Sequence, residues 1–384
     1  MEILPEDVVV HVLSFLSASD LRAVRYVSRS FYRLANLADT KLWRYVRCIG
    51  DAPSPRNGHS LTVIGNRFWI FGGADAKRLF TSDVFVLDSN SKVWQRFDCE
   101  GPPPLPRRSH SAAAIGNDLY IFGGLTEGRS PIKRSHTSGR IVAPFYGRTE
   151  PKVDSREDRC NDLYVLHTDG DPRAVWEQLP PSPGAPRSGH TCTALGKSLW
   201  IIGGYYNGCY RNDVLVYDTE AKEWDQVSVG GAGFAPRCNH SSVAVGPLVY
   251  VFGGSQGNWL NDLMVLDTEH FVWGKIQIIN SIPPPPRMSH TCIAVPSVSQ
   301  IWLFGSEDHH DPPYSLFKLD LNSWQWTRVT SPGAPLSSSC GQAAAVLCGG
   351  HVKGLKEECD VWVFGCHPSE GQRSFLSGPW VSSV

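Results

Sequence analysis

The sequence has no long apolar run and no excess of charge of either sign. A membrane-spanning helix needs about 18 consecutive apolar residues, and the chain contains no such stretch. Its 36 Lys and Arg nearly balance 37 Asp and Glu, so the formal net charge is −1. Proteins that bind nucleic acid or anionic lipid through a general field carry a marked positive charge. We therefore expect no nucleic acid and no membrane among the partners.

Signals for secretion are also missing. A signal peptide would need a basic start and an unbroken apolar segment, but Glu2, Glu6 and Asp7 interrupt the N-terminus. The 11 cysteines include no pair with C-x-x-C spacing, and Cys192 and Cys292 occupy apolar strand positions after His-Thr. Cysteines of this kind are typical of reduced core thiols. This indicates a cytoplasmic and/or nuclear protein.

The sequence lacks the common catalytic motifs. There is no nucleophile elbow, no P-loop and no dinucleotide-binding glycine pattern. The one local concentration of metal-ligating residue types runs from Glu307 to Asp311, beside Pro312 and Pro313. Adjacent side chains on irregular backbone seldom converge on one ion. We therefore expect no catalytic residue, no cofactor and no metal site.

What the chain does contain is a long repeat. Pro-Arg is followed three residues after the Arg by His, then by an apolar strand ending in Gly-Gly, an Asp that opens another strand, and a Trp. Successive histidines are separated by 51, 80, 50 and 50 residues, which is the period of a propeller blade. The repeated histidines are His59, His110, His190, His240 and His290.

Within the first repeat, four apolar segments between residues 60 and 97 are separated by tight-turn residues such as Gly65-Asn66. This arrangement resembles the kelch repeat. The resemblance implies a mainly β fold, a β-propeller of about six blades over residues 49–368, with a C-terminal tail at 369–384. The sixth repeat is degraded, and Asp360–Phe364 matches the third strand of a blade. Either the tail or the segment near Cys48 could complete the ring, since an open blade leaves strand edges unpaired.

The repeated residues recur around a ring instead of converging on one point, which favours structural roles. We expect the arginines and histidines to bond loops between blades, Gly-Gly to allow close backbone passage, and the tryptophans to pack between sheets. The arginines are Arg56, Arg107, Arg187, Arg237 and Arg287; the tryptophans are Trp94, Trp176, Trp224, Trp273 and Trp324.

Residues 1–48 have a different character, with no glycine and apolar residues at helical spacing. Pro5, Glu6 and Asp7 suit the first turn of a helix. The order Leu-Pro-Glu-Asp at 4–7, then Asp20-Leu21, Phe31-Tyr32-Arg33-Leu34 and Leu42-Trp43, resembles the F-box, with Ser28 where that family often has Cys. The resemblance implies a small helical domain that binds a Skp-type adaptor, and through it cullin and RING subunits. The residues expected to face the adaptor are Leu4, Pro5, Val8, Val9, Val12, Leu13 and Leu16. In the alternative, these helices only cap the propeller.

Long loops on one face of the predicted ring mark a site for a partner. Four antiparallel strands put the turns after the second strands and the links between blades on one face, and these segments are the long ones. Aromatic residues together with arginine are typical of protein-binding hot spots. The expected substrate-binding residues are Arg78, Phe80, Tyr205, Tyr206, Tyr210, Arg211, Trp259 and Tyr314.

An insertion at about 126–159 lengthens the second repeat. It contains eight Lys or Arg against five acidic residues and is rich in Ser, Gly and Pro. Such a segment favours a flexible loop on the same face. It could contact an acidic substrate or accept phosphate at Ser130 or Ser135, or it could be a tolerated insertion without function.

Together, the resemblances predict a non-enzymatic substrate-recognition subunit of a Skp-cullin-F-box ubiquitin ligase, which presents an unknown target protein for ubiquitination. Two alternatives remain open. One is a propeller scaffold that acts outside any ligase. The other is a metal-dependent kelch enzyme, because some kelch proteins bind iron through an acidic-His motif that Glu307 and Asp311 fit, although Ser315 occupies its third position.

Overall fold

The computed structural model describes residues 44–54, 56–75, 77–127, 157–169, 173–278, 281–305, 316–329, 343–348, 359–367 and 375–383. Residues 1–43 of the predicted helical domain, with all seven adaptor-facing residues, lie outside this part of the chain. So do Tyr314, the Glu307–Asp311 segment and most of the insertion. Within the described part, no helix is both long enough and apolar enough to cross a membrane.

The described chain forms a β-propeller, as the repeat predicts. Five blades are described with their side chains, and each consists of four antiparallel strands that run outward from the central axis. In order from the inner to the outer strand, blade 1 comprises Ser60–Ile64, Arg67–Phe71, Val84–Asp88 and Val93–Phe97; blade 2 Ser111–Ile115, Asp118–Glu127, Glu157–His167 and Ala174–Leu179; blade 3 Thr191–Leu195, Ser198–Tyr206, Cys209–Asp218 and Glu223–Val227; blade 4 Ser241–Val245, Leu248–Ser255, Trp259–Asp267 and Val272–Ile276; and blade 5 Thr291–Val295, Gln300–Phe304, Leu316–Asp320 and Gln325–Val329.

Several short strands lie outside the four-stranded pattern of the blades. In three places the chain entering a blade pairs in parallel with that blade's outer strand. A single 3₁₀ turn lies between the first two strands of blade 5. The parallel additions are Ile49–Gly50, Cys99–Glu100 and Gly230–Gly231; the other short strands are Arg56–Asn57, Ala74–Asp75 and Arg107–Arg108, and the 3₁₀ turn is Pro296–Val298.

Each blade is buried on both sides, because two neighbouring blades enclose it. In the second strand of blade 1, Phe68, Trp69, Ile70 and Phe71 are all at most 2% exposed. Phe68 and Ile70 belong to one apolar cluster, whereas Trp69 and Phe71 belong to another that includes Ile121 of blade 2. The strands therefore read as continuous apolar runs, and the core is a series of layers between blades.

A sixth sheet, described only by its strands, lies between blades 5 and 1. Its inner strand lies beside the inner strands of both neighbours, so the ring is closed. The fold class is thus the predicted one, with five blades described in side-chain detail where about six were expected and a further four-stranded sheet in the remaining place. Its strands, again from inner to outer, are Ala343–Cys348, Cys359–His367, Phe375–Ser383 and Arg44–Tyr45.

The sixth sheet corrects three expectations about the ends of the propeller. Asp360–Phe364, expected as a third strand, belongs to the second strand, because Cys359–His367 pairs with Ala343–Cys348. The third strand is Phe375–Ser383, from the segment expected to be a tail. Arg44 and Tyr45, expected at the end of the helical domain, pair with Val381 and Trp380 as the outer strand. Both the C-terminal segment and the segment near Cys48 therefore contribute to closure. The first supplies the third strand of the sixth sheet, and the second supplies its outer strand.

The side chains of the repeated arginines bond within their own blade, which corrects the expectation that they join different blades; only the backbone groups of these arginines bond to the preceding blade. Arg187 is fully buried, and its Nη1 donates to the Gly203 carbonyl oxygen at 3.0 Å. Its guanidinium also forms a two-pronged pair with Asp213 of the third strand, the shorter contact being 2.7 Å. The same arrangement joins Arg56 to Asp83, Arg107 to Asp162 and Arg237 to Asp262.

The repeated histidines do connect neighbouring blades, as expected. The Nε2 of His190 donates to the Phe122 carbonyl oxygen of blade 2 at 3.2 Å. The Nε2 of His290 lies 2.8 Å from the Ser241 hydroxyl of blade 4. His110 and His240 make similar contacts to the inner strands of the preceding blades.

The tryptophans of the outer strands pack between sheets, with one correction. Trp176 lies 5.3 Å from Phe71 of the preceding blade, measured between ring centroids. In blade 5 the buried equivalent is Trp326, which lies 5.4 Å from Phe252 of blade 4. Trp324, the expected residue, occupies the preceding turn with a φ of 55°. The two tryptophans are two residues apart, so the pattern alone did not distinguish them.

Gly-Gly allows one blade to pass close to the next. Gly203 has a φ of +63°, and a Cβ there would lie 2.8 Å from the Arg237 carbonyl oxygen. The next residue, Gly204, donates its N–H to that same oxygen at 2.8 Å. A side chain at Gly203 would therefore push apart the backbones of blades 3 and 4.

We expect Gly203→Ala to destabilise the propeller far more than Gly196→Ala. Gly196 has a similar φ of +58°, but a Cβ there would meet nothing within 4 Å. Gly196→Ala, the control, should lower the free energy of unfolding by about 1 kcal/mol through backbone strain. In Gly203→Ala, the close contact of the new Cβ should lower it by a further ~2 kcal/mol. Urea unfolding of both variants measures the difference. Equal losses would contradict the proposed close passage.

Removal of residues 1–48 should destabilise the ring, whereas removal of residues 1–42 should not. The longer deletion removes Arg44 and Tyr45, which pair with the third strand of the sixth sheet, and leaves that strand's edge open. Differential scanning calorimetry should show a lower melting temperature for the longer deletion. Identical melting of the two truncated chains would show that the outer strand does not support closure.

Candidate functional site

The two faces of the propeller carry different kinds of connection. The face with the turns after the second strands and the links between blades is called the loop face below, and the opposite one the turn face. On the loop face, the second and third strands of blades 2, 3 and 4 extend beyond the ring as hairpins. The insertion begins and ends there, after Glu127 and before Glu157. The expected asymmetry of the faces is therefore present.

A chain of backbone hydrogen bonds surrounds the central axis on the loop face. Each bond joins the residue before one repeated His to its equivalent in the preceding blade: the N–H of Ser109 donates to Gly58 O, Gly189 to Ser109, Asn239 to Gly189 and Ser289 to Asn239. Their lengths run from 2.7 to 3.1 Å. All five residues have φ between 53° and 65°. The backbone thus forms a tight collar that links five successive blades.

The collar surrounds a cavity of about 400 Å³. Its lining includes the repeated histidines, the collar residues and Arg108, and none of the described residues that line it carries a carboxylate. Burial is the largest cause that lowers the pKa of His240 and His290 to about 3, and the nearby buried arginines act in the same direction. The same two causes lower the pKa of His59 to about 4. These imidazoles are neutral near pH 7, so they supply polar groups without charge.

Two of the predicted binding residues lie on the loop between the second and third strands of blade 1. Arg78 is exposed, whereas Phe80 is half-buried. The guanidinium of Arg108, from blade 2, lies 5.2 Å from the centre of the Phe80 ring. Such a stack holds the ring in place from one side. Phe80 also lines a groove of about 440 Å³ between blades 1 and 2.

Four more predicted residues lie on the hairpin of blade 3. The rings of Tyr205 and Tyr210 pack edge to face, 5.2 Å apart. The guanidinium of Arg159 lies 5.1 Å from the Tyr205 ring, and Tyr206 is half-buried at the hairpin's end. Arg211 is one-third exposed, with its Nε 3.6 Å from Asp213.

Trp259 is half-buried on the hairpin of blade 4, opposite Ser255. The described members of the predicted set thus all lie on the loop face. They belong to blades 1, 3 and 4, and they do not form a single cluster. Their role in binding stays a prediction.

Sequence reasoning missed the collar and the two arginines that stack on predicted aromatics. The collar residue always precedes the repeated His, and it is Gly, Ser or Asn in every copy. These residue types tolerate a left-handed backbone, so that recurrence was an available signal. Arg108 and Arg159 had no comparable signal, because neither follows the repeat.

A possible metal-ligand group on the turn face has a structural explanation. The ligand atoms of Asp267, Glu269 and His270 lie within 4.8 Å of one another. However, Asp267 Oδ1 accepts the backbone N–H groups of Glu269 and His270, two and three residues later, and Asp218 and Asp320 do the same in their own blades. The aspartate therefore caps a turn common to several blades.

Comparison with known proteins agrees with this architecture. The model of the KLHDC2/KLHL20/DRC7 kelch-repeats domain matches residues 25–137 and 131–305. The F-box domain model matches residues 1–42. The chain belongs to the kelch-repeat family and carries an F-box domain. In this F-box/kelch protein, the F-box match ends two residues before the strand that closes the propeller.

Curated relatives share the kelch part. Host cell factor 1 of Homo sapiens is 27% identical over 296 residues, which are 68% of this chain and 13% of that protein. Host cell factor 1 of Rattus norvegicus gives the same values. Kelch domain-containing protein 3 of Homo sapiens is 28% identical over 222 residues, 56% of this chain and 52% of that protein. The matched segments span only a small part of host cell factor 1 and about half of the other relative.

The buried histidines should make the propeller sensitive to acid. The pKa of His240 and His290 is about 3 in the folded chain and about 6.5 when unfolded. Between these values the unfolded chain binds more protons, so stability is complete above pH 6.5 and falls as the pH drops below it. Each such histidine should contribute a loss of ~1.4 kcal/mol per pH unit in this window.

Urea unfolding between pH 7.5 and pH 5.0 measures this loss. The slope of stability against pH should be shallower in His240→Asn, whatever that variant does to stability at pH 7.5. His270→Gln is the control, because its exposed imidazole pairs with Asp267 and it should keep the steep acid slope. An unchanged slope in His240→Asn would show that His240 does not titrate as expected.

Proposed function

We propose that this chain is the substrate-recognition subunit of a Skp-cullin-F-box ubiquitin ligase. The F-box binds a Skp-type adaptor, which brings the cullin and RING subunits, and the loop face of the propeller binds the target protein. The chain itself performs no catalysis. The observation that carries the proposal is the F-box match at residues 1–42, directly beside a kelch propeller.

The closure of the ring supports a fixed relation between the two bound partners. Arg44 and Tyr45 belong to the outer strand of the sixth sheet, and Ile49 and Gly50 pair with the outer strand of blade 1. The segment that follows the F-box is therefore held at both its ends by the propeller. A bound target should then keep a defined position relative to the adaptor, as directed ubiquitin transfer requires.

The thiols of the propeller favour a reducing compartment. The described cysteines are all free. Burial raises the pKa of Cys192 and Cys292 to about 12, so both are protonated and unreactive. We therefore propose that the complex acts in the cytoplasm or nucleus.

Affinity capture with mass spectrometry tests the proposal. Three forms are compared: the intact chain, the double variant Pro5→Asp/Val9→Asp, and the propeller variant Lys197→Glu. The intact chain and Lys197→Glu should capture the adaptor, cullin and RING subunits, whereas the F-box variant should lose them and keep its targets. The propeller of the F-box variant should melt as that of the intact chain does, because the F-box substitutions lie outside the propeller.

Two results would contradict the proposal. Absence of the adaptor from the intact chain would favour the alternative of a scaffold acting outside a ligase. Capture of the adaptor by Pro5→Asp/Val9→Asp would show that it binds elsewhere on the chain.

A further inference from the structure

One loop on the loop face presents positive charge in a fixed form. It follows the second strand of blade 1 and is called the basic loop below, comprising Asp75 and residues 77–80. Its backbone is closed by two hydrogen bonds, Asp75 N to Leu79 O at 3.0 Å and Arg78 N to Asp75 O at 2.9 Å. Asp75 Oδ1 also accepts the N–H of Lys77 at 2.8 Å and of Leu79 at 2.9 Å. The loop is therefore rigid before any partner binds.

The charges in this loop are not neutralised by their own acid. The Asp75 carboxylate is directed to the loop's amide groups, and within the described residues neither Lys77 nor Arg78 forms an ion pair. Both side chains are exposed. Elsewhere on this face the buried arginines are paired with aspartates, as Arg187 is with Asp213. Lys77 and Arg78 are thus a local positive site on a nearly neutral protein.

Apolar surface adjoins these charges. Leu79 is 55% exposed at the end of the loop. Phe80 continues into the groove between blades 1 and 2, where Phe97, Pro103 and Trp176 form the apolar part of the wall. The same groove is lined by Asp83, which pairs with Arg56, and by the exposed Arg96 and Asp98. Arg108 stacks on Phe80 and extends to the central cavity, where none of the described lining residues carries a carboxylate. Two cations that are unpaired within the described residues and a groove with an apolar wall therefore share one small area of the loop face.

We propose that the basic loop, Arg108 and the groove beneath Phe80 bind an acidic peptide segment of the target, with several carboxylates beside one large apolar side chain. The carboxylates pair with Lys77, Arg78 and Arg108, and the apolar side chain enters the groove. Charge complementarity decides the class of partner, because the loop offers two exposed cations and uses its only carboxylate internally. This inference rests on the proposed function for its target, but its site is independent of the F-box.

Fluorescence anisotropy with two labelled 12-residue peptides tests the inference. One peptide has four glutamates around a leucine, and the other has glutamine in place of each glutamate. The full chain should bind the acidic peptide at least tenfold more tightly, and binding should weaken between 50 and 300 mM salt. Lys77→Glu/Arg78→Glu should lower the affinity at least tenfold without changing the melting temperature, since both side chains are exposed.

The matched control is Lys197→Glu/Lys275→Glu, which reverses the charge of two exposed lysines that lie away from this loop. It changes the net charge by the same amount and should keep the binding. Equal weakening in both double variants would show a general field effect and overturn the site. No binding by the full chain at 100 µM peptide, or equal binding of both peptides, would also overturn it.

Adaptor capture by the same variants separates this inference from the proposed function. Lys77→Glu/Arg78→Glu should capture the adaptor as the full chain does. If the adaptor is captured but the acidic peptide does not bind, the site is wrong and the ligase role stands. If the peptide binds but no form captures the adaptor, the site stands and the ligase role is wrong.

Discussion

The architecture depends on a buried guanidinium repeated around the ring. In each of blades 1 to 4, an arginine before the inner strand is held by an aspartate that lies in the third strand, or directly before it in blade 1, and by the carbonyl oxygen of the first glycine of Gly-Gly. Three strands of a blade are thereby tied together at the loop face. A buried cation without its carboxylate would be strongly destabilising, so the pair fixes where each hairpin begins.

Contacts between blades build on this fixed point. The carbonyl oxygen of the same arginine accepts the N–H of a glycine from the preceding blade, and the nearby histidine bonds to that blade's inner strand or, for His190, to its second strand. The collar then joins successive blades around the axis. Because backbone groups make most of these contacts, the ring tolerates varied side chains in the loops. The basic loop and the hairpin of blade 3 are such variations.

The segment beside the F-box takes part in closing the propeller. The two termini meet in the sixth sheet, where Phe375–Ser383 pairs with Arg44 and Tyr45. A propeller closed in this way cannot release the segment after the F-box without exposing a strand edge. Adaptor binding and target binding would then act through one connected body, which suits a subunit that positions a target.

The sequence by itself determined the class of the fold, the blade period, the F-box and the face with long loops. Each of these depends on local spacing: strand length, turn residues and the fifty-residue repeat are properties of short segments. The sequence did not assign Asp360–Phe364 to a second strand or choose Trp326 over Trp324, since strand partners and register depend on which edges are free in the closed ring. Likewise, only the tertiary structure directed the arginines to their own blades, stacked Arg108 on Phe80 and turned Asp75 inward. Those contacts join residues distant in the chain, and their energies arise only when the ring brings them together.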